Sequence, residues 1–173
     1  MENNKKKEKE LLKMLYVDME EAHMEPEYYE DAVPAAHTDM IRSFHPYYGE
    51  IEDGATCEYY FMPSPEGSEM HYFTAVMTLA YDIDSKYIPA VSEAITKLSF
   101  YMPTGTFVMN KQGTILAFKV SQILPDDLDE DSCVSLMNVA ASHAIQLPER
   151  YTQVLLQLAD GRLSLEQFLM LIS

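Results

Sequence analysis

The chain has 173 residues, the size of one compact domain built on one core. Its 47% hydrophobic and 23% charged residues provide enough apolar surface to offset chain ordering, which excludes wholesale disorder. A formal net charge of −16 repels phosphate backbones and anionic lipid heads, so neither nucleic acid nor a membrane surface is an expected partner.

The N-terminus is Lys-rich through Lys5, Lys6 and Lys7 and reads as a frayed, solvated helix start. It leads into Glu-Lys-Glu rather than the apolar core of a signal sequence. Leu11, Leu12, Leu15, Met19 and Ala22 then recur at helical spacing, which predicts an amphipathic helix from about Glu8 to His23, ended by Pro26. Between Glu27 and Thr56, Pro34, Pro46, Gly49 and Gly54 are scattered among acids and tyrosines. That composition predicts loops with one irregular strand around Phe44 to Ile51.

Cys57, Tyr59 and Phe61 alternate along a strand, Pro63, Pro65 and Gly67 interrupt, and a longer strand runs from Met70 to Asp82, so the pair reads as a hairpin. In the longer strand Phe73, Ala75, Met77, Leu79 and Tyr81 share one face, and Tyr72, Thr74, Val76, Thr78 and Ala80 share the other. Neither face is strongly polar, so both are expected to be covered. Ile88, Val91, Ile95, Leu98 and Met102 predict a helix over 86–102, with Asp84 or Ser85 as its N-cap and Pro89 in its first turn. Phe107 to Asn110 and Thr114 to Ile123 flank Lys111-Gln112-Gly113, a link suited to a second hairpin. Acids from Asp126 to Asp131 stand where a helix N-terminus favours them, ahead of Val134, Met137, Ala140, Ala141 and Ala144. Pro148 is read as starting a further helix through Tyr151, Leu155 and Leu158, closed by Gly161, and Ser164 with Gln167 forms a capping-box pattern for a short last helix.

This order gives an α+β fold, an antiparallel sheet covered by amphipathic helices, in a single domain spanning 1–173. Its parts are an N-terminal helix at 1–23, an acidic irregular segment at 24–56, sheet and central helix at 57–125, and C-terminal helices at 126–173. No apolar run approaches the roughly 20 residues of a membrane-spanning helix, and Cys57 and Cys133 form neither a metal-type pair nor a disulfide framework. The expectation is a soluble, cytoplasmic protein.

The charge is local. Residues 14–85 hold sixteen acids against Arg42 alone, which is −15 of the total −16. One reading is a solvated face, and the sharper one is a docking surface for a basic partner. Tyr28–Tyr29, Tyr47–Tyr48 and Tyr59–Tyr60 lie within that stretch, and strand alternation turns one ring of each pair inward and the other outward. The candidate partner-binding residues are therefore Tyr47, Tyr48, Glu50, Glu52, Asp53, Glu58 and Tyr60.

Reaction chemistry has little support. Asp127, Asp129 and Asp131 have the spacing of a calcium loop, but the positions that need Gly and Glu hold Ser132 and Asn138. The five histidines never occur as a His pair three or four apart with an accompanying glutamate, and six single glycines build no phosphate cradle. Cys57 could act as a nucleophile with His71 if the two strands pair, against the commoner use of such a cysteine as a small buried hydrophobe. No metal, cofactor or catalytic residue is expected.

Two stretches, IPAVSEAITKLSFYMPTGTFVMNKQGTILAFKV from Ile88 and SCVSLMNVAASHAIQLPERYTQVLLQLADGRLSLEQFL from Ser132, resemble the YbjN-like sensory transduction regulator family, whose fold is similar to type III secretion chaperones. Gly105 and Phe107 match its G-x-F strand, Gly113 its turn, and Phe118 and Tyr151 its later aromatics. The sequence departs where Ser99-Phe100-Tyr101 replaces the family's usual Asn, and Met24 to Thr56 has no counterpart. The resemblance implies a non-enzymatic regulatory or chaperone-like domain that binds other proteins, often as a homodimer, with no catalytic residue to carry over. Two rival readings are a small-molecule or enzymatic pocket on a concave sheet using Cys57 and His71, and a purely structural homodimer.

Overall fold

Apolar residues at helical spacing place Leu11, Leu12, Leu15 and Met19 on one side of α1 (Glu2–Glu21), and all four are buried. The computed structural model describes residues 2–33, 38–49, 51, 54–65 and 68–172. The helix begins before Glu8, and its lysines are not simply solvated. Lys7 Nζ donates to the Asp126 and Leu128 carbonyls, and Lys9 Nζ lies 3.2 Å from both Glu30 and Asp39.

Two strands follow where loops and one irregular strand were expected: β1 (Glu27–Val33) and β2 (Thr38–His45) pair antiparallel with a register shift between Tyr29 and Val33. Next come β3 (Ala55–Met62), β4 (Met70–Ala80), α2 (Ile88–Leu98), β5 (Thr106–Met109), β6 (Leu116–Pro125), α3 (Glu130–Ala159) and α4 (Leu165–Leu171). The six strands form one antiparallel sheet in the order β1-β2-β3-β4-β6-β5. The architecture is therefore α+β, as the sequence predicts.

The two predicted hairpins are present. At the second, the Gly113 N–H donates to the Asn110 carbonyl at 2.9 Å, with Gly113 at φ +76°. Asp84 does not cap α2, since its carboxylate accepts the Lys86 N–H at 3.0 Å within the preceding turn, and Tyr87 occupies the N-cap without a side-chain bond. Asp129 caps α3 by accepting from the Ser132 N–H at 2.9 Å, so the acid cluster has its structural role, and Ser164 with Gln167 completes the capping box of α4.

Pro148 starts no new helix and lies inside α3. A buried stripe of Cys133, Met137, Ala140, Ala144, Pro148, Thr152, Leu155 and Leu158 crosses it without a change of phase. Packing of that stripe outweighs the roughly 3 kcal/mol that an interior proline costs. α3 packs on β6 and β4, α1 on β2 and α3, and α2 on β5, α3 and α4. All contribute to one core with Ile41, Cys57, Tyr59, Phe61, Phe73, Met77 and Phe118.

Candidate functional site

The helices meet one face of the sheet. The residues that alternate with the core set are Arg42 and Phe44 of β2, Thr56, Glu58, Tyr60 and Met62 of β3, Tyr72, Val76 and Thr78 of β4, and Lys119 and Ile123 of β6. All of these remain half-buried or exposed and none belongs to the core cluster. Met40 is buried, yet it too lies outside that cluster, beside Tyr29 and Tyr60 in register. The expectation that both faces of the long strand are covered is thus corrected: among the described residues, no helix contributes to packing on this second face.

Strand pairing arranges the open face in rows that run across the sheet. The first holds Met62, Tyr72 and Ile123. The second holds Tyr29, Met40, Tyr60, Thr74 and Ser121. The third holds the charges, in the order Glu27, Arg42, Glu58, Val76, Lys119, Thr106. The fourth holds Phe44, Thr56, Thr78, Ala117 and Val108. Ile123 is 51% exposed and lies in register with Tyr72 and Met62, while Phe44, 55% exposed, stands on the other side of the charge row. The Met62-Tyr72-Ile123 row has the pattern of an interaction surface.

Of the predicted partner-binding residues, Glu58 and Tyr60 lie on this face, and Glu58 Oε1 accepts from Arg42 Nη2 at 2.8 Å. Tyr47 lies beyond the far end of β2 and is 95% exposed. Tyr48 is a correction: its ring is buried and its hydroxyl donates to the Ile145 carbonyl at 2.6 Å, so it anchors the connection after β2 to α3 and presents nothing to a partner. Burial pushes its phenol pKa up. Glu50, Glu52 and Asp53 lie outside the described residues. The described members do not form one patch.

Tyr47 stands at the rim of an open groove of about 680 Å³ with Pro46, Ile51, Gln153, Leu156 and Arg162. A second open groove, of about 400 Å³, runs between the end of α2 and α4, lined by Phe100, Tyr101, Leu169 and Ile172. Both are broad surface depressions lined by few titratable side chains.

The thiol–imidazole pairing does not form. Cys57 faces Met77 in the β3–β4 register, and His71 is six positions further along β4, roughly 20 Å at ~3.4 Å per residue. Cys57 is wholly buried, and that burial pushes its thiol pKa up to about 12, which keeps it protonated and unreactive. Instead His71 is enclosed, with Nδ1 2.9 Å from Glu8 Oε1 and Nε2 3.0 Å from Asp126 Oδ1. The enclosed imidazole is thus bracketed by two carboxyl groups, and burial raises the carboxyl pKa of Glu8. The cluster ties α1 to β4 and to the turn before α3.

A second polar chain went unforeseen. Ser43 Oγ lies 2.9 Å from His45 Nε2 and 3.1 Å from the Tyr59 hydroxyl. Ser43 is 1% exposed, so this dyad is closed to a substrate and serves to satisfy polar groups inside the sheet layer. The i, i+2 spacing of Ser43 and His45 is its sequence signal, visible once 38–45 is recognised as a strand. Among the described residues, no group of three or more His, Cys, Asp or Glu side chains is placed to hold a metal ion, and no helix is long and apolar enough to cross a membrane.

No family model and no curated protein matches the chain. Among solved structures it is similar to the crystal structure of an uncharacterized protein from Methanothermobacter thermautotrophicus, at 11% identity and a TM-score of 0.44, over 88% of this chain and 98% of that one.

Proposed function

We propose that the chain is a non-enzymatic protein-binding domain, regulatory or chaperone-like in kind, whose contact surface is the open face of the sheet. The observation that carries this reading is the one-sided covering of six strands, which leaves Met62, Tyr72 and Ile123 facing outward in register and Phe44 outward three rows away. The chemistry-bearing side chains support it from the other side. Cys57, His71 and Ser43 are each enclosed and engaged in structural contacts. The resemblance of the sequence from Ile88 onward to YbjN-like regulators adds the expectation of protein partners, homodimers included.

The acidic stretch has a separate part in the proposal. Its charge steers a basic partner toward the domain, while apolar contact supplies affinity. Tyr47, exposed at its groove within the acidic stretch of the sequence, is the residue best placed to meet such a partner first.

Purification from the native cell with tagged wild-type and Ile123→Asp chains, read by mass spectrometry, tests the contact surface. Proteins recovered with the wild type and lost with the variant are the expected result, and equal recovery with both overturns the assignment of the face. Repeating the purification in about 0.5 M salt, where the Debye length falls to roughly 4 Å, tests steering. Basic partners should be released, and undiminished recovery removes the steering role.

A further inference from the structure

We propose that the open face is occupied by a second copy of this chain, packed sheet to sheet about a two-fold axis that runs along β4. The inference rests on the reading of that face as a contact surface and names its occupant.

Four observations point to this partner. First, the sheet edges are poorly suited to pairing. β1 carries Glu27, Glu30 and Asp31 and has a register shift, with Asp31 at φ +51°, while β5 is four residues long. Acids, irregularity and shortness are the devices that block strand addition at an edge. Second, two chains of net charge −16 repel one another, and a neutral contact surface adds least to that repulsion. The rows of the open face hold two acids, Glu27 and Glu58, and two bases, Arg42 and Lys119, and so are charge-balanced.

Third, a two-fold axis along β4 makes the face complementary to itself. β3 and β6 flank β4 on opposite sides, so a two-fold axis along β4 lays β3 of one copy over β6 of the other. Rows defined by strand register then meet in reverse order. Glu58 faces the Lys119 position of the second copy, Met62 faces Ile123, Tyr60 faces Ser121, and Phe44 faces Val108. Tyr72, Thr74 and Val76 meet their own counterparts on the axis. An axis running across the strands along the charge row would instead stack Glu58 on Glu58 and Lys119 on Lys119, which like-charge repulsion disfavours. Lys119 has no ion-pair partner within its own chain among the described residues, whereas Glu58 already holds Arg42. The second copy thus supplies the missing anion for Lys119.

Fourth, the whole face approaches the needed size: five strand spacings of ~4.8 Å by about 30 Å of strand give an upper limit of roughly 700 Å² per copy, against the ~800 Å² per partner of a standard stable interface. Aligned sheets pack about 10 Å apart with a small rotation, which keeps the pairs nearest the axis, on β3, β4 and β6, in contact.

Sedimentation analysis from about 1 to 100 µM tests the proposal. The wild type should sediment as two chains. Lys119→Glu and Glu58→Lys each place two like-charge pairs across the axis, so each variant alone should dimerise roughly tenfold more weakly or worse. Mixing the two variants makes both pairs complementary again and should restore a heterodimer to within about threefold of the wild-type affinity. Circular dichroism checks that each variant is folded. Should Glu58→Lys fail this through the loss of its Arg42 contact, Lys119→Gln and Glu58→Gln replace the swap, with a smaller and equal weakening expected. A wild type that stays monomeric overturns the proposal, as do variants that dimerise unchanged or a mixture that gains nothing. If the wild type is monomeric but Ile123→Asp loses the co-purified protein, the second copy is wrong and the contact surface stands. If co-purification is also unchanged, both are wrong.

Discussion

The two faces of the sheet both carry large apolar side chains, but only one has helices against it, and the other adds a row of charges. On the covered face Tyr59, Phe73 and Phe118 are wholly buried under α1, α2 and α3. On the other, Phe44, Met62, Tyr72 and Ile123 are also large and apolar, yet they belong to no core cluster. Apolar alternation therefore reports that a strand surface wants to be covered. It does not report by what.

The comparison predicts a division of labour, stability from one face and association from the other. Its largest effect comes from Phe118, which packs against Phe107 with ring centroids 4.9 Å apart. Phe118→Ala should cost about 3–5 kcal/mol in denaturant unfolding, against less than about 0.5 kcal/mol for Ile123→Ala measured below the dimerisation range. Similar costs for the two would break the division. His71 is a buried polar member of the covered face, and His71→Ala leaves Glu8 without its buried partner. A loss of about 1–3 kcal/mol by urea titration is expected, and a neutral result would show that the cluster does not fasten α1.

Gly105 sharpens the comparison at one ring. It sits at φ +71°, and a Cβ there would lie 2.6 Å from Phe118 Cζ. Gly105→Ala should cost at least about 1 kcal/mol, visible as a lower thermal midpoint, and a midpoint equal to the wild type would contradict the close approach. The smallest effect concerns His45, beside Ser43 on the covered face, whose pKa is lowered by burial. An imidazole with a lower pKa folded than unfolded stabilises the fold while neutral, above about pH 6.5, and that contribution is lost as pH falls. Stability should therefore decline between about pH 7 and 5, and His45→Asn should show a shallower decline. Parallel profiles would exclude His45 as a contributor.

How much was legible in the sequence follows the same division. α1, α2, both hairpins, the Asp129 cap and the Ser164–Gln167 capping box all rest on local signals of spacing and turn chemistry, and these are read without tertiary knowledge. β1 and β2 were obscured because polar residues face inward there. Asp39 accepts from the Tyr28 hydroxyl at 2.6 Å and the Asp31 N–H at 3.0 Å, and Ser43 bonds Tyr59, so inward polar positions invert the usual apolar alternation. Pro148 misleads for the opposite reason: a strong local breaker yields to a long-range buried stripe.

The candidate site was legible in part. Outward Tyr60 and Glu58 follow from alternation in β3, and inward Tyr59 from the same rule. That Tyr48 is anchored to α3, 97 positions away in the chain, is a tertiary fact with no local mark. The charge row across the sheet was invisible for the same reason, since Arg42, Glu58 and Lys119 come together only through strand order and register.

The most direct test of the division is the thermal midpoint of wild type and Ile123→Asp as protein concentration is raised. If the open face holds a second copy, the wild-type midpoint climbs with concentration by mass action. The Ile123→Asp midpoint then stays flat and equals the dilute wild-type value. A flat wild-type midpoint, or a variant that climbs in parallel with it, would contradict the account.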